Sequence, residues 1–193
     1  MMQTFLLFFK QGLSHILDID GIDHILFILA ITVFFNRSHW KKLALLVTAF
    51  TLGHSITLVL SMYDVISLQR DMVEQLIPIT IIITCANNFF KVYKPTKVNY
   101  KVLYTMVLVF GCVHGLAFSN FLKMAFFEDD NLLASLAGFN IGIELGQLLI
   151  VCVFLAATEL ALRVFKKIKH DHIIIACSGV ITLSASKILW DLF

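Results

Sequence analysis

Residues 43–62 read LALLVTAFTLGHSITLVLSM, a run of twenty residues that contains no Asp, Glu, Lys or Arg. About 20 such residues in a helix suffice to cross the hydrocarbon core of a bilayer. Runs of similar character lie on both sides, and the chain is 59% hydrophobic and only 15% charged. Soluble domains are roughly 45–50% apolar and roughly 25% charged. Because a spanning backbone must satisfy its own hydrogen bonds in lipid, the sequence predicts an all-α, polytopic integral membrane protein.

The apolar runs predict about six transmembrane helices. We place them at residues 21–36, 43–62, 75–93, 102–121, about 134–163, and 173–192. No Pro-, Gly- or Ser-rich linker divides the chain, so we expect a single transmembrane domain over residues 1–193, with the helical bundle in residues 18–193.

The connecting segments alternate between basic and acidic character. Eleven of the 15 Lys and Arg residues fall in three clusters, which are Arg37, Lys41 and Lys42, then Lys91, Lys94, Lys97 and Lys101, then Arg163, Lys166, Lys167 and Lys169. The other segments carry Asp64, Asp71 and Glu74, and later Glu128, Asp129 and Asp130. Because cytoplasmic loops carry the excess of Lys and Arg, we predict that the basic loops are cytoplasmic and that the acidic loops and the C-terminus lie outside. Topology explains these clusters, so no nucleic-acid partner is expected.

Residues 1–17 are the least regular part of this topology. Phe5, Phe9, Leu13 and Ile16 recur at helical spacing, but Lys10 interrupts the run. We expect an amphipathic or half-inserted helix on the outer side of the membrane. The alternative is a seventh span with the N-terminus inside.

Four histidines lie in or beside these apolar runs: His15, His24, His54 and His114. Ionisable groups at bilayer depth are costly, and they usually face the bundle interior and mark a substrate or ion path. By a helical rise of about 1.5 Å per residue, His24 lies roughly 20 Å from Arg37, and His54 roughly 18 Å from Lys42. His114 lies roughly 20 Å from Lys101 by the same rise. These imidazoles therefore share a level in the outer half of the bilayer.

Carboxylates and amides accompany the histidines. Glu144 reaches the same level, and Asp23 directly precedes His24. We predict six metal ligands: His15, Asp23, His24, His54, His114 and Glu144. Four further residues share helical faces with these ligands and are predicted to hold them in place: Asp20, Thr51, Asn140 and Gln147.

Small residues recur every four positions at Ala134, Gly138, Gly142 and Gly146. Such a stripe allows close approach of two helices in lipid. Gly111 and Gly115 suggest a second close contact beside His114.

A set of imidazoles and carboxylates without thiolates suits Ni, Zn, Co, Mn or Fe(II) and not Cu(I). Of these metals we expect Ni, Zn or Co. The four cysteines stand singly in separate apolar runs, without CxxC spacing. Because a ligating imidazole must be neutral, bound metal should be released as the pH falls through the range in which histidine protonates. Acidic residues on the outer side, Asp18 and Asp20 among them, would concentrate cations at the entrance.

Four segments in order carry a resemblance to a known family. They are GLSHILDIDGIDHILFILAI (12–31), FTLGHSITL (50–58), FGCVHGLAFS (110–119) and FNIGIELGQL (139–148). Together they resemble the HupE/UreJ family of bacterial membrane proteins, whose members are described as nickel permeases or as accessory proteins of hydrogenase and urease. The resemblance implies a multi-pass protein of the bacterial inner membrane that handles a metal ion, with the His, Asp and Glu positions above as candidate ligands.

Three functions follow from these observations. The first is a permease for a divalent cation such as Ni, Co or Zn. The second is a membrane-embedded metal hydrolase acting on a lipid or membrane peptide, with Glu144 or Asp23 as general base for a metal-bound water. The third is a non-catalytic subunit of a membrane complex, whose partners would be membrane lipid and other membrane subunits or copies of itself. The family resemblance favours the permease.

Overall fold

The computed structural model describes residues 1–19, 21–66, 68–95, 98–127 and 131–193. These residues form the helices α1 (Met2–Leu17), α2 (Ile22–Thr32), α3 (Trp40–Met62), α4 (Arg70–Tyr93), α5 (Tyr100–Phe127), α6 (Leu132–Val164) and α7 (His170–Asp191), with a short 3-10 turn at Arg37–His39. Helices α3 to α7 are long and apolar enough to cross a membrane by length and composition. The prediction of a helical membrane bundle is confirmed.

The first predicted span, 21–36, is shorter than expected. The helix α2 has 11 residues, which gives roughly 17 Å of the roughly 30 Å hydrocarbon core. The preceding helix α1 ends at Leu17, where Asp18 takes an extended backbone with ψ 128°, and α2 begins after Gly21. Both α1 and α2 pack against α6. Both helices therefore lie against α6, and we call the connection between them, from Asp18 to Gly21, the interruption between α1 and α2.

The N-terminal helix α1 lies directly against the first half of α6. A Cβ atom added at Gly138 would collide with the carbonyl of Phe5, and one added at Gly142 would collide with the carbonyl of Phe9. Residue numbers rise together along both helices, so α1 runs parallel to α6. A span with its N-terminus on the opposite side would run antiparallel to α6, so the contacts do not agree with that alternative. The glycine stripe packs helices closely, as predicted.

A second close pair joins α3 and α5. A Cβ atom at Gly111 would collide with the carbonyl of Phe50, and one at Gly115 would collide with the carbonyl of His54. Numbers again rise together, so these helices are also parallel. The pairing brings the His54 and His114 segments side by side.

The basic clusters meet at one end of the bundle. The Nζ atom of Lys42 lies 3.9 Å from the ring centroid of Tyr100, which joins the start of α3 to the start of α5. The Nζ atom of Lys91 lies 4.8 Å from the ring centroid of Phe34. Arg37 and Arg163 line a common groove. The three basic clusters thus lie, in the described residues, at the same end of the bundle, which we call the basic end. This agrees with the alternation of basic and acidic loops in the sequence.

Candidate metal centre

Three imidazoles from three helices meet in the bundle interior. They belong to His15 near the end of α1, His24 in the first turn of α2, and His54 in the middle of α3. One ring nitrogen from each lies within 4.8 Å of the others. The ring centroids of His15 and His24 are 4.7 Å apart, and each is 6.1 Å from that of His54. We call these three residues the histidine cluster.

A fourth imidazole adjoins the cluster. The ring centroid of His114 lies 5.1 Å from that of His24. Its Nδ1 is 2.8 Å from the carbonyl oxygen of Phe110, one helical turn earlier. Since a carbonyl only accepts, Nδ1 carries the proton and donates it, and Nε2 keeps its lone pair. His114 therefore stands beside the cluster in the tautomer that can bind a cation through Nε2.

His24 is oriented by its neighbour Asp23. The carboxylate oxygen Oδ1 of Asp23 accepts from the backbone N–H of His24 at 2.9 Å, and it lies 3.0 Å from Nδ1 of the same residue. The proton consequently resides on Nδ1, and Nε2 keeps its lone pair. A carboxylate that fixes an imidazole in this way is the usual support of a metal-ligating histidine. The negative charge also lies in the first turn of α2, where the helix dipole stabilises it.

Four ring nitrogens of His24, His54 and His114 are buried without hydrogen bonds among the described residues. His24 is 4% exposed, and His54 and His114 are fully buried. Within the described part of the chain, Nε2 of His24, Nε2 of His114 and both ring nitrogens of His54 have no hydrogen-bond partner. Buried polar atoms without partners are rare, and each needs a physical explanation. A transition-metal ion is a ligand that such lone pairs suit.

The predicted polar stripe of α6 lies elsewhere, against α3. The hydroxyl of Thr48 donates to Oε1 of Glu144 at 2.6 Å, that of Thr51 to Oε1 of Gln147 at 3.0 Å, and that of Ser55 to Oδ1 of Asn140 at 2.7 Å. We call these three bonds the α3–α6 seam. Among the described residues, Glu144 does not join the group of clustered ligand atoms. Asp20, like Glu128, Asp129 and Asp130, lies outside the described residues.

A family model described as HupE / UreJ protein matches residues 1–192. The chain belongs to the HupE/UreJ family. No curated protein and no solved structure matches it. The four segments that carried the resemblance are the segments that supply His15 and His24, His54, His114, and the α6 side of the seam.

In this HupE/UreJ protein, three phenylalanine rings cover the histidine cluster on the side that faces the basic end. The ring centroid of Phe27 lies 5.1 Å from that of Phe50 and 5.7 Å from that of Phe110. The ring of His114 packs on this layer, with its centroid 5.0 Å from Phe50 and 5.3 Å from Phe27. We call the three rings the phenylalanine layer. It separates the histidine cluster from the space beyond.

A cleft lies on the other side of the phenylalanine layer. Phe110 lines it together with Thr84, Asn87, Asn88 and Lys91. One amide N–H of Asn88 donates to the carbonyl of Ala30 at 2.7 Å, which fixes α4 against α2. Four polar side chains of α4 thus line one cleft between the phenylalanine layer and the basic end.

The cluster is more open beside the junction of α1 and α2. Asp18 and Ile19 are exposed where α1 ends, and the side chain of Asp23 is 23% exposed. His15 is partly exposed and His54 is fully buried. Exposure therefore decreases from the interruption between α1 and α2 towards the centre of the bundle.

Sequence reasoning missed the partners of three predicted residues, Glu144, Asn140 and His114. The hydroxyls of Thr48 and Ser55 face α6, and their spacing from Thr51 gives the signal, because all three share one helical face. The carbonyl of Phe110 was also missed, although a residue four positions before a histidine in a helix lies within reach of its ring.

Proposed function

We propose that this HupE/UreJ protein is a permease for a divalent transition-metal ion of the nickel, cobalt and zinc group. The observation that supports it is the histidine cluster, in which three helices bring three imidazole nitrogens within 4.8 Å of one another. Imidazole without thiolate suits these metals. Membership of the HupE/UreJ family supports the same class of substrate.

In this proposal His15, His24 and His54 bind the ion after it has lost most of its water. Asp23 keeps the Nε2 lone pair of His24 available, because its Oδ1 lies 3.0 Å from Nδ1. His114 stands next to His24 and supplies the next ligand. Glu144 is left with a structural role, since its carboxylate accepts the hydroxyl hydrogen of α3 in the seam.

The proposed path begins at the interruption between α1 and α2 and ends at the cleft beside Lys91. The exposed Asp18 and the partly exposed Asp23 attract cations to the entrance. Under the predicted orientation, with the basic end in the cytoplasm, this path leads inward. The phenylalanine layer closes it, so passage requires these rings to move.

The hydrolase requires a carboxylate free to act as a general base on a metal-bound water. Both predicted bases have other partners in the structure. Glu144 accepts from Thr48, and Asp23 is engaged by the ring and backbone of His24. The geometry therefore supports metal binding and transfer over hydrolysis.

The phenylalanine layer favours a second candidate function, that of a metal-binding accessory protein. A site that is closed towards the basic end can hold an ion without passing it on. The two functions share the same ligands and differ only in flux.

Metal content and flux test the proposal together. Purified protein is loaded with Ni²⁺, Co²⁺ or Zn²⁺, desalted and analysed for bound metal, beside His54→Ala and the control His39→Ala. His39 binds Asn36 near the basic end, outside the cluster, so its replacement should leave the metal in place, whereas His54→Ala should lose it. Gel filtration and thermal unfolding of the metal-free proteins establish that each variant is folded.

Proteoliposomes with an entrapped metal-sensitive dye then measure flux. Wild-type protein should admit the metal, and His54→Ala should not. A folded wild type that binds no metal contradicts both candidate functions. Bound metal without flux contradicts the permease and leaves the accessory protein.

A further inference from the structure

A surface groove at the basic end has the shape and chemistry of a lipid site. Its volume is about 670 Å³, and it lies between the start of α3 and the second half of α6. The three hydrogen bonds of the α3–α6 seam join Thr48–Ser55 of α3 to Asn140–Gln147 of α6. From the seam towards the basic end, α6 continues to Val164, whereas α3 reaches only to its first residue, Trp40. The groove is the gap between these two helix ends.

The groove is apolar towards the middle of the membrane. Cys152, Leu155 and Ala156 of α6 line this part, and Leu160 lies beside Glu159 at its border with the cationic part. Leu160 is 62% exposed and Leu155 is half-buried. A wall of this kind accepts a hydrocarbon chain.

The groove is cationic at the basic end. Arg37 and Arg163 line it from opposite sides, together with Glu159. Nη2 of Arg163 donates to Oε1 of Glu159 at 2.8 Å and its Nε donates at 3.1 Å, which leaves the remaining N–H groups of Arg163 available. Arg37 forms no ion pair within the described residues. Two guanidinium groups and one carboxylate give this end a net charge of +1, which a phosphodiester would neutralise.

Trp40 marks the boundary between the two parts. Trp40 is 58% exposed and lines the groove, and the Nζ atom of Lys41 lies 5.7 Å from its ring centroid. Tryptophan favours the level of the lipid headgroups, so its position aligns the arginines with the phosphates of one leaflet. Guanidinium binds phosphate oxygens in a bidentate fashion, and basic pockets between membrane helices on the cytoplasmic side are a recurring site for anionic headgroups.

We propose that this groove binds an anionic glycerophospholipid, with its phosphate on Arg37 and Arg163 and an acyl chain along Leu155 and Leu160. The arginines also repel metal cations, so the groove is no branch of the proposed metal path. The site does not depend on the metal function.

Lipid binding is tested on the full-length protein, delipidated in a neutral detergent, by native mass spectrometry. The probes are phosphatidylglycerol and phosphatidylcholine with identical acyl chains. Wild-type protein should retain phosphatidylglycerol roughly 10-fold more strongly, because each basic group near the surface contributes to binding an anionic lipid. The double variant Arg37→Gln, Arg163→Gln should lose this preference.

Two further variants separate the site from general effects. Arg70→Gln breaks an exposed i,i+4 pair with Glu74 that matches the pair of Arg163 with Glu159, and it should keep the lipid preference. Glu159→Gln should strengthen retention of phosphatidylglycerol, because it frees Arg163 and raises the local charge. A folding defect would not increase binding.

Three results would overturn the proposal. One is a lipid preference in the double variant equal to that of the wild type. Another is competition by soluble glycerophosphate as effective as the lipid itself, which would indicate a free-phosphate site. The last is a wild-type protein that is dimeric in gel filtration and a double variant that is monomeric, which would assign the groove to a second copy of the chain.

Discussion

Replacement of Asp23 tests the orientation of His24 most directly. Its Oδ1 lies 3.0 Å from Nδ1 and 2.9 Å from the backbone nitrogen of His24, and the pair is partly shielded from water. Loss of a group that supports a metal-ligating histidine costs typically 10–100-fold in metal affinity, or about 1.4–2.7 kcal/mol. Asp23→Asn keeps an oxygen acceptor and should cost about 10-fold, whereas Asp23→Ala removes the acceptor and should cost about 100-fold.

The assay is competition for Ni²⁺ between the purified protein and a chromophoric chelator. Asp71→Asn is the matched control, because Asp71 lies in the first turn of α4 as Asp23 lies in the first turn of α2. Removing a charge from a helix N-terminus costs about 0.3–1 kcal/mol in either case, so the difference between the variants isolates the effect on His24. Equal affinities for Asp23→Asn and Asp71→Asn would refute the reasoning. Complete loss of bound metal in Asp23→Ala, as expected for His54→Ala, would instead identify Asp23 as a direct ligand.

Other changes test the packing around the centre. Gly142→Ala should lower the free energy of unfolding by about 1–3 kcal/mol, because its Cβ would collide with a backbone carbonyl of α1. Gly179→Ala has open space around it and should be neutral or stabilising by up to about 1 kcal/mol; thermal unfolding in detergent compares the two. Glu144→Gln should leave metal affinity unchanged in the chelator assay, since the carboxylate is bound to a hydroxyl of α3, and a large loss would return Glu144 to the ligand set. Asn88→Ala should lower the free energy of unfolding by about 1–2 kcal/mol, because a carbonyl of α2 loses its donor, and an unchanged melting temperature would contradict this.

The long helices were predictable because their sequences are apolar over the length of a bilayer. The run 21–36 misled for a physical reason. Hydropathy records that a residue avoids water, and Val33 and Phe35 are 1% and 4% exposed. They are buried against protein beyond the end of α2 at Thr32. An apolar run therefore predicts that its residues are buried. It does not predict how many of them are helical, because that depends on where the helical backbone hydrogen bonds end.

The depth of the polar residues was also predictable, but their direction around the helix axis was not. Helical rise places Glu144 at the level of the imidazoles. Its rotation about α6 follows that of Asn140 and Gln147, and these three bind the hydroxyls of α3. Axial position is a property of one helix, whereas rotation depends on which helix packs on which face.

The position of His15 also depends on which helices pack together. The sequence of α1 gives an apolar face but no partner, and the glycine stripe of α6 predicts a close neighbour without naming it. The pairing of these two helices, together with the short connection from α1 to α2, brings His15 to within 4.7 Å of His24, measured between ring centroids.

Two glycine-mediated helix pairs therefore determine the geometry of the metal centre. The pair α1–α6 positions His15, the pair α3–α5 positions His54 beside His114, and α2 adds His24 from the interruption. The ligand nitrogens of the cluster lie within 4.8 Å of one another, so a shift of one pair by a fraction of that distance separates His15 from His54. Such a shift leaves residues of the same helix pair, such as His54 and His114, side by side. Substitutions of the contact glycines should thus weaken metal binding without touching a ligand, because they displace one pair of helices relative to the other.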